Sequence, residues 1–218
     1  MPRYSVVPVV EGHGEVRAVP VLIRRWLEFR RYRNVDVHID GPVRAPGRDA
    51  LTASHDPARR RGVEHFTRIA FASGSDAILV LLDADEDCPR DLGAALLERA
   101  RGVLPEGFPV AVVVANREYE AWFLTALKSS AFRKALVESG LRAIQPATFA
   151  KDPESIADCK KRVAELIVGG PYQETVHQER LTRLLPFSKT VTAHSRSFRK
   201  LLKELDALLQ AARTRRSI

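Results

Sequence analysis

The sequence contains little cysteine and no long apolar run. Its two cysteines among 218 residues, Cys88 and Cys159, stand in no spacing typical of metal or redox motifs, so a reducing cytoplasm is the simplest location. No apolar run approaches the roughly 20 residues that span a bilayer. The first residues, MPRYSVV, lack the basic-then-apolar pattern of a secretory signal. We therefore expect a cytoplasmic protein that does not interact with membranes.

Several catalytic signatures are absent as well. The chain has no GxxxxGK[ST] loop and no GxSxG turn, which excludes a P-loop nucleotide site and a hydrolase nucleophile elbow. The GHG of residues 12–14 lacks the third glycine of a dinucleotide-binding fingerprint. The chemistry therefore has to be sought among other residue types.

Basic charge is what the sequence has in excess. The formal net charge is +8, and residues 151–218 carry 14 Lys and Arg against 8 Asp and Glu. Such a bias fits a polyanionic partner such as nucleic acid, and a solvated, arginine-rich surface explains it equally well. Hydrophobic residues make up 45% of the chain, which is enough for one domain or one core with an appendage.

Short continuous apolar runs alternate with helical patterns in residues 1–128. The predicted strands are Tyr4–Val10, Val35–Ile39, Ala77–Leu82 and Val110–Val114, and the helices between them are Val16–Arg31, Arg59–Ala72 and Asp91–Val103. Runs that do not alternate in polarity are typical of strands buried on both faces. This order predicts an α/β core with a mostly parallel sheet of about four strands. The Gly-, Pro- and Arg-rich segment Asp40–Pro57 predicts a mobile or functional loop.

Residues 129–218 are predicted to form a basic, helical C-terminal extension that packs on the core as one compact unit. From residue 121 onward the predicted helices are Ala121–Leu127, Ser130–Glu138, Pro153–Val168, Gln178–Leu185 and Ser197–Ala212. A linker is predicted at Gly140–Lys151.

Carboxylates follow three of the predicted strands at the points where these strands end. They are Glu11 after the first strand, Asp83, Asp85 and Asp87 after the third, and Glu118 and Glu120 after the fourth. The C-terminal ends of parallel strands meet at one edge, where ligands bind. Together with Glu15, these acids repel one another unless a cation compensates them, and an all-oxygen site suits Mg²⁺ or Mn²⁺. Gly12 and Gly14 would let the backbone approach a phosphate.

Each acidic motif also has a purely structural interpretation. Glu15 is placed as a first-turn helix acid, and Glu118 and Glu120 fit the start of a helix. Asp85 fits a turn. Asp83 is harder to explain in this way, because a buried strand-end aspartate needs partners. The convergence of three motifs at one edge favours a metal site.

Candidate phosphate-binding residues lie mainly near the C-terminus. The stretch SRSFRKLLKEL places Arg196, Arg199 and Lys200 near one another at helical spacing. Arg117 and Lys189 are further candidates. The alternative, compatible with the first, is an amphipathic helix whose leucines dock on the core and whose cations are solvated.

Taken together, the motifs resemble known families. Glu11 after a first strand and Asp83-x-Asp85 after a later one resemble the Toprim domain of topoisomerases, bacterial primases, small ribonucleases and overcoming-lysogenization-defect (OLD) nucleases. Over nearly the whole chain, VEGHGE, LLDADEDCP, ANREYEAWFL, KDPESIADCKKRV and SRSFRKLLKEL more closely resemble the bacterial family catalogued as domain of unknown function 4276.

The resemblance implies a Toprim-like (Rossmann-like) fold and a divalent-metal site. It implies that Glu11 is a general acid/base or a metal ligand and that Asp83 and Asp85 hold Mg²⁺. Glu15 would join them, together with either Glu118 or Glu120, and the choice between these two stays open. Some relatives act as nuclease effectors in phage defence beside an ATPase, which for this chain would be a separate protein.

We therefore predict a divalent-metal-dependent nuclease of the Toprim type, in which Glu11 activates water or protonates the leaving oxygen. The alternative is a non-catalytic Toprim-like module that binds nucleic acid or a partner protein. DNA or RNA as the substrate, one or two metal ions, and the oligomeric state, a homodimer included, stay open.

Overall fold

The computed structural model describes residues 3–32, 36–144 and 152–216. In this part of the chain, one five-stranded sheet with every strand pair parallel forms the centre of the molecule. The strands are β1 (Arg3–Val10), β2 (Asp36–Ile39), β3 (Val43–Arg44), β4 (Ala77–Asp83) and β5 (Val110–Ala115). Their order across the sheet is β2-β1-β4-β5, and β3 pairs with the end of β1, beyond β2.

The side chains of the central strands alternate between two apolar layers. In β4, Leu79 and Leu81 belong to one layer, whereas Ile78 and Val80 belong to the other, and β5 alternates in the same way. Because both faces of these strands are buried, every position can be apolar, and the pattern becomes a continuous run.

Ten α-helices in the described residues cover the two faces of the sheet. They are α1 (His13–Phe29), α2 (Arg48–Thr52), α3 (Val63–Ala72), α4 (Pro89–Arg101), α5 (Ala121–Ala126), α6 (Ser130–Glu138), α7 (Cys159–Ala164), α8 (Glu174–Leu184), α9 (Lys189–His194) and α10 (Arg196–Arg216). Helices α2 to α4 pack into one apolar layer, and α1 packs with α5 to α10 into the other.

The predicted α/β class and parallel sheet with C-terminal helices are confirmed. The four predicted strands are found to within a residue at each end, although Val35 lies outside the described residues. The sequence does not indicate β3 or α2, which lie inside Asp40–Pro57, because two- and five-residue elements carry too little periodicity to be recognised.

The predicted helix Pro153–Val168 is wrong as a single element. The structure has a 3₁₀ turn at Pro153–Ser155, an extended Ile156, and then α7. The chain leaves the helical path because the buried Glu154 side chain accepts hydrogen bonds from the start of α10. The predicted helix Arg59–Ala72 begins only at Val63, after a glycine with positive φ, and α8 begins four residues before the predicted start. The sequence does not indicate α9.

The C-terminal extension and the core share one apolar layer. Leu181 of α8 and Leu205 of α10 belong to the same cluster as the strand residues Leu79 and Val113. The domain boundary at residue 128 and the compact packing of the two parts stay predictions, and part of the predicted linker, residues 145–151, lies outside the described residues. Among the described helices, none is long and apolar enough to cross a membrane.

Candidate active site

Hydrogen bonds tie the acidic ends of the strands together at one edge of the sheet. Glu11 follows β1, and its Oε1 accepts from the backbone N–H of Asp83 at the end of β4, with 3.1 Å between N and O. Asp83 Oδ1 in turn accepts from the backbone N–H of Tyr119, which follows β5, at 2.8 Å. The structure therefore brings the ends of β1, β4 and β5 together, as a parallel sheet requires.

Two further carboxylates, Glu15 in the first turn of α1 and Glu120 shortly after β5, share one amide. Gln178 of α8 is fully buried, and its Nε2 lies 3.3 Å from Glu15 Oε1 and 3.3 Å from Glu120 Oε1. Glu15 is 6% exposed and Glu120 is fully buried. Tyr172 O–H donates a second hydrogen bond to Glu120 Oε1, at 2.7 Å. We call Glu11, Glu15, Asp83 and Glu120 the carboxylate cluster.

Three oxygens of the carboxylate cluster are buried without a hydrogen-bond partner. They are Oε2 of Glu11, Oε2 of Glu15 and Oε2 of Glu120. Buried polar atoms are nearly always paired in native proteins, so three orphaned carboxylate oxygens in one place indicate a missing cationic or hydrogen-bonding partner. In the described part of the chain, no three acidic, histidine or cysteine side chains already stand in a metal-binding arrangement. A bound ion would therefore require side-chain adjustment.

Burial raises the pKa of three members of the carboxylate cluster, Glu11, Asp83 and Glu120. It raises the pKa of Glu11 to about 7, and the charges of Glu15 and Asp85 add to the rise. Burial likewise raises the pKa of Glu120 to about 7, although the hydrogen bond from Tyr172 lowers it. The pKa of Asp83 lies well above its usual range, first because of burial and then because of the neighbouring Glu11. These pKa values show that the structure compensates the negative charge only in part.

Lys160 of α7 provides positive charge that compensates part of the negative charge of the carboxylate cluster. Its Nζ lies 2.9 Å from Glu174 Oε1 and 3.6 Å from Glu118 Oε1. Burial alone would lower the pKa of Lys160, but Glu120, the hydrogen bond to Glu174 and Asp83 together raise it. Lys160 therefore stays charged beside the carboxylate cluster.

The structure distinguishes Glu118 from Glu120, the two acids that the sequence left as alternatives. Glu118 is engaged by Lys160, because its Oε2 also accepts from the Lys160 backbone N–H at 3.0 Å. Glu120 lies beside Glu15 across Gln178 and keeps one oxygen without a partner. Of the two, Glu120 is the better placed to contact a cation.

Asp85 stands apart from the carboxylate cluster. Its side chain is exposed, and Oδ2 lies 3.5 Å from Nε of Arg48, whose Nε also donates to the Asp83 carbonyl at 3.1 Å. Asp85 and Arg117 both have positive φ, 49° and 63°, and Asp85 N–H donates to the Arg117 carbonyl at 3.0 Å. Strained non-glycine backbone of this kind clusters at functional sites. Arg117 pairs with Glu86, with 2.5 Å between Nη1 and Oε2.

Packing explains why residues 12 and 14 are glycine. A Cβ atom at Gly12 would lie 2.2 Å from Glu15 Oε2, and one at Gly14 would lie 2.1 Å from Gln178 Oε1 and 3.0 Å from the Glu174 Cβ. Side chains at these positions would displace Glu15 and Gln178. The two glycines therefore allow Glu15 to fold back over the turn and α8 to approach the start of α1; a phosphate contact at these glycines stays a prediction.

The predicted basic residues of the C-terminal extension make local contacts. Arg199 Nη1 donates to the Thr192 carbonyl at 2.6 Å, and Lys200 pairs with Glu204 at 2.9 Å. Arg196 is exposed, and its backbone N–H donates to Glu154. Lys189 lines a depression formed with Arg25, Phe29, Pro186 and Phe187. Phe29 ends α1, so this position lies about 24 Å along that helix from the acidic edge.

Four residues at the site were not singled out by the sequence: Arg48, Lys160, Tyr172 and Gln178. Gln178 could have been noticed, because it shares a helical face with the buried Leu181 and Leu185. Arg48 and Tyr172 stand in segments without a regular pattern, and the predicted helix Pro153–Val168 does not indicate what Lys160 contacts. Only the three-dimensional structure brings the three residues to the strand ends.

Three comparisons relate the chain to known proteins. A family model described as "Domain of unknown function (DUF4276)" matches residues 10–206. Among solved structures, the chain is similar to the C-terminal region of the Burkholderia pseudomallei OLD protein, with 18% identity, a TM-score of 0.43, and coverage of 93% of this chain and 98% of that one. The chain is also similar to the C-terminal region of the Xanthomonas campestris pv. campestris OLD protein, with 16% identity and a TM-score of 0.44. This match covers 94% of this chain and 96% of that one. Likeness at this level does not establish a shared activity. A search of curated proteins found no match.

Proposed function

The chain belongs to the family described as domain of unknown function 4276, and we propose that its carboxylate cluster is the centre of a divalent-metal-dependent nuclease. The observation that carries this proposal is the set of buried, unpartnered oxygens on Glu11, Glu15 and Glu120. They come from two distant parts of the sequence, VEGHGE and ANREYE, and lie at the edge of a parallel sheet where ligands bind. A protein that needed these acids only for structure would have paired them.

The donor set fits a hard divalent cation. The orphaned atoms of the carboxylate cluster are carboxylate oxygens, which Mg²⁺ and Mn²⁺ prefer, and the amide oxygen of Gln178 beside them also lacks a partner. Asp83, Glu15 and Glu120 would hold the ion after side-chain adjustment, and Asp85 would join only by leaving Arg48. Bound there, the ion would polarise the phosphoryl oxygens and offset charge in the transition state.

Glu11 is the best candidate for proton transfer. A pKa of about 7 suits a general acid/base at neutral pH. Glu11 also lines an open groove, which gives substrate access to a side chain that is otherwise mostly buried. Glu11 would take a proton from the attacking water or deliver one to the leaving oxygen. Lys160 would offset charge on the phosphate while it holds Glu118 and Glu174.

A second candidate is a non-catalytic module that binds nucleic acid or a partner protein. Two observations favour it: Lys160 already offsets part of the cluster's charge, and the described residues contain no ready-made metal cage. In this case the acids and Lys160 would form a static network. The predicted antiphage role and separate ATPase partner stay predictions.

Cleavage of labelled DNA and RNA oligonucleotides by the purified protein tests the proposal. We expect cleavage with Mg²⁺ or Mn²⁺ and none with EDTA. Glu11→Gln should lower the rate by about 100-fold or more, as expected for loss of general acid/base catalysis. The matched control is Glu106→Gln, which neutralises an exposed acid just before β5 and should not change the rate. Unchanged cleavage in Glu11→Gln would contradict the role of Glu11 in proton transfer. No cleavage by the wild type would favour the non-catalytic module.

A further inference from the structure

An open groove of about 830 Å³ leads to the carboxylate cluster. The segment at the end of β3 contributes Arg44 and Pro46, and the C-terminal extension contributes Lys161 and Tyr172. Glu11 lines the same groove. The groove therefore gives a substrate access to Glu11 between residues of the core and residues of the C-terminal extension.

The groove carries cations that have no ionic partner. Arg44 and Lys161 are both exposed, and neither forms an ion pair with another described residue. Arg44 donates only to the carbonyl of its neighbour Ala45, at 3.1 Å. Lys160, by contrast, is engaged by two carboxylates. Arg44 and Lys161 are therefore available to an anionic ligand.

Tyr172 adds an aromatic side chain to the groove. Its hydroxyl is fixed by Glu120, and its ring stacks beside His177 with 5.8 Å between the ring centroids. The ring is partly exposed along the groove. Exposed cations beside a fixed aromatic ring are the combination that proteins use to bind single-stranded nucleic acid, with phosphates on the cations and a base on the ring.

We propose that this groove binds single-stranded nucleic acid, with Arg44 and Lys161 contacting the phosphates that flank the one at Glu11 and Tyr172 contacting a base. The inference rests on the proposed function, because it supplies the substrate class for the same site. Glu11 Oε2 is buried, so the phosphate backbone must bend into the groove to reach it. A flexible single strand can do so, whereas a duplex is stiff over this length.

Fluorescence anisotropy with a labelled oligonucleotide of about 12 nucleotides, in EDTA so that cleavage is blocked, tests the inference. We expect the single strand to bind more tightly than a duplex of the same sequence. Arg44→Ala combined with Lys161→Ala should reduce the slope of log K against log salt by about 1.4, because two phosphate contacts are lost. Tyr172→Ala should weaken binding about tenfold, and Tyr172→Phe, which keeps the ring, should not.

The matched control is Arg68→Ala combined with Arg101→Ala, which removes the same charge from exposed positions on α3 and α4 that do not line the groove. An equal reduction of the slope by the two double variants would overturn the groove assignment and indicate a diffuse basic surface. Tighter binding of the duplex would overturn the single-strand assignment. Because binding is measured without cleavage, groove-dependent binding by a protein that never cleaves would reject the nuclease proposal and keep this inference.

Discussion

Two buried carboxylate sites in this protein are built in opposite ways. Glu154 is 4% exposed, and both of its oxygens accept hydrogen bonds at the start of α10. Oε1 accepts from Ser195 Oγ at 2.5 Å and Ser197 Oγ at 2.6 Å, and Oε2 accepts from the Arg196 backbone N–H at 3.1 Å. Glu120 is equally buried but leaves Oε2 without any partner.

We interpret Glu154 as a structural carboxylate and Glu120 as part of the proposed metal site. Glu154 joins the 3₁₀ turn to α10, and Ser197 extends the contact to the core by accepting from Trp122 Nε1 at 2.8 Å. This network gives DPES and SRSF a structural role, and phosphate binding by Arg196, Arg199 and Lys200 stays a prediction. The carboxylate cluster, by contrast, contains buried oxygens without a hydrogen-bond partner. Such oxygens destabilise the fold unless a ligand binds them.

The largest effect is expected at Glu154. Glu154→Ala should lower the free energy of unfolding by on the order of 4 kcal/mol, because several buried donors to a charged acceptor lose their partner. Urea denaturation measures this change. Glu165→Ala, which removes an exposed acid paired only with Arg162, should change the stability by less than about 0.5 kcal/mol. Similar changes in the free energy of unfolding of the two variants would show that the hydrogen bonds of Glu154 do not stabilise the fold.

Next in size, counted for each titrating group, is the pH dependence of the metal-free protein. Glu11 and Glu120 have pKa values of about 7 when folded, against 4.5 for an ordinary glutamate. Between these values the folded state binds more protons than the unfolded state, so stability must fall as pH rises from about 4.5 to 7. The loss is on the order of 3 kcal/mol for each group, and it should level off above pH of about 7. Chemical denaturation in EDTA across this range would contradict the account if stability rose with pH.

A smaller effect is expected at Gly14. Gly14→Ala should displace Gln178 and remove its bridge between Glu15 and Glu120. We expect a loss of about 1–2 kcal/mol in stability together with weaker metal binding. Gly170→Ala is the control, because a Cβ at Gly170 would meet nothing within 4 Å. Metal titration and denaturation of both variants would decide whether packing alone requires this glycine.

The smallest expected effect is a gain in stability. Glu120→Gln removes a buried charge while its amide oxygen can still accept from Tyr172 O–H. The metal-free variant should be more stable than the wild type at pH of about 8, by on the order of 1 kcal/mol. Urea denaturation in EDTA measures the difference. A clear destabilisation would place Glu120 with Glu154 among the structural carboxylates.

The sequence predicts the fold and the acidic strand ends because both depend on local patterns. Val110–Val114 is a continuous apolar run, and Asp83 directly follows another, so the strands and the position of Asp83 can be recognised without the structure. Lys160 and Gln178 could not be assigned to the site, because their contacts to residues of the core are set by how the C-terminal extension folds back. The GHG motif predicts a close approach of the backbone to a phosphate. The contacts that its glycines allow with Glu15 and Gln178 can be seen only in the structure.

Thermal unfolding with and without Mn²⁺ tests the central claim, which is that the carboxylate cluster binds a divalent cation. The comparison uses the wild type and Asp83→Asn, which keeps an oxygen for the Tyr119 backbone N–H. At about 100 times the Kd, the ion should add about 3 kcal/mol and raise the Tm of the wild type by about 5–10 °C. We predict this shift for the wild type and its loss in Asp83→Asn. An unchanged Tm in the wild type, or an equal rise in both proteins, would contradict the account.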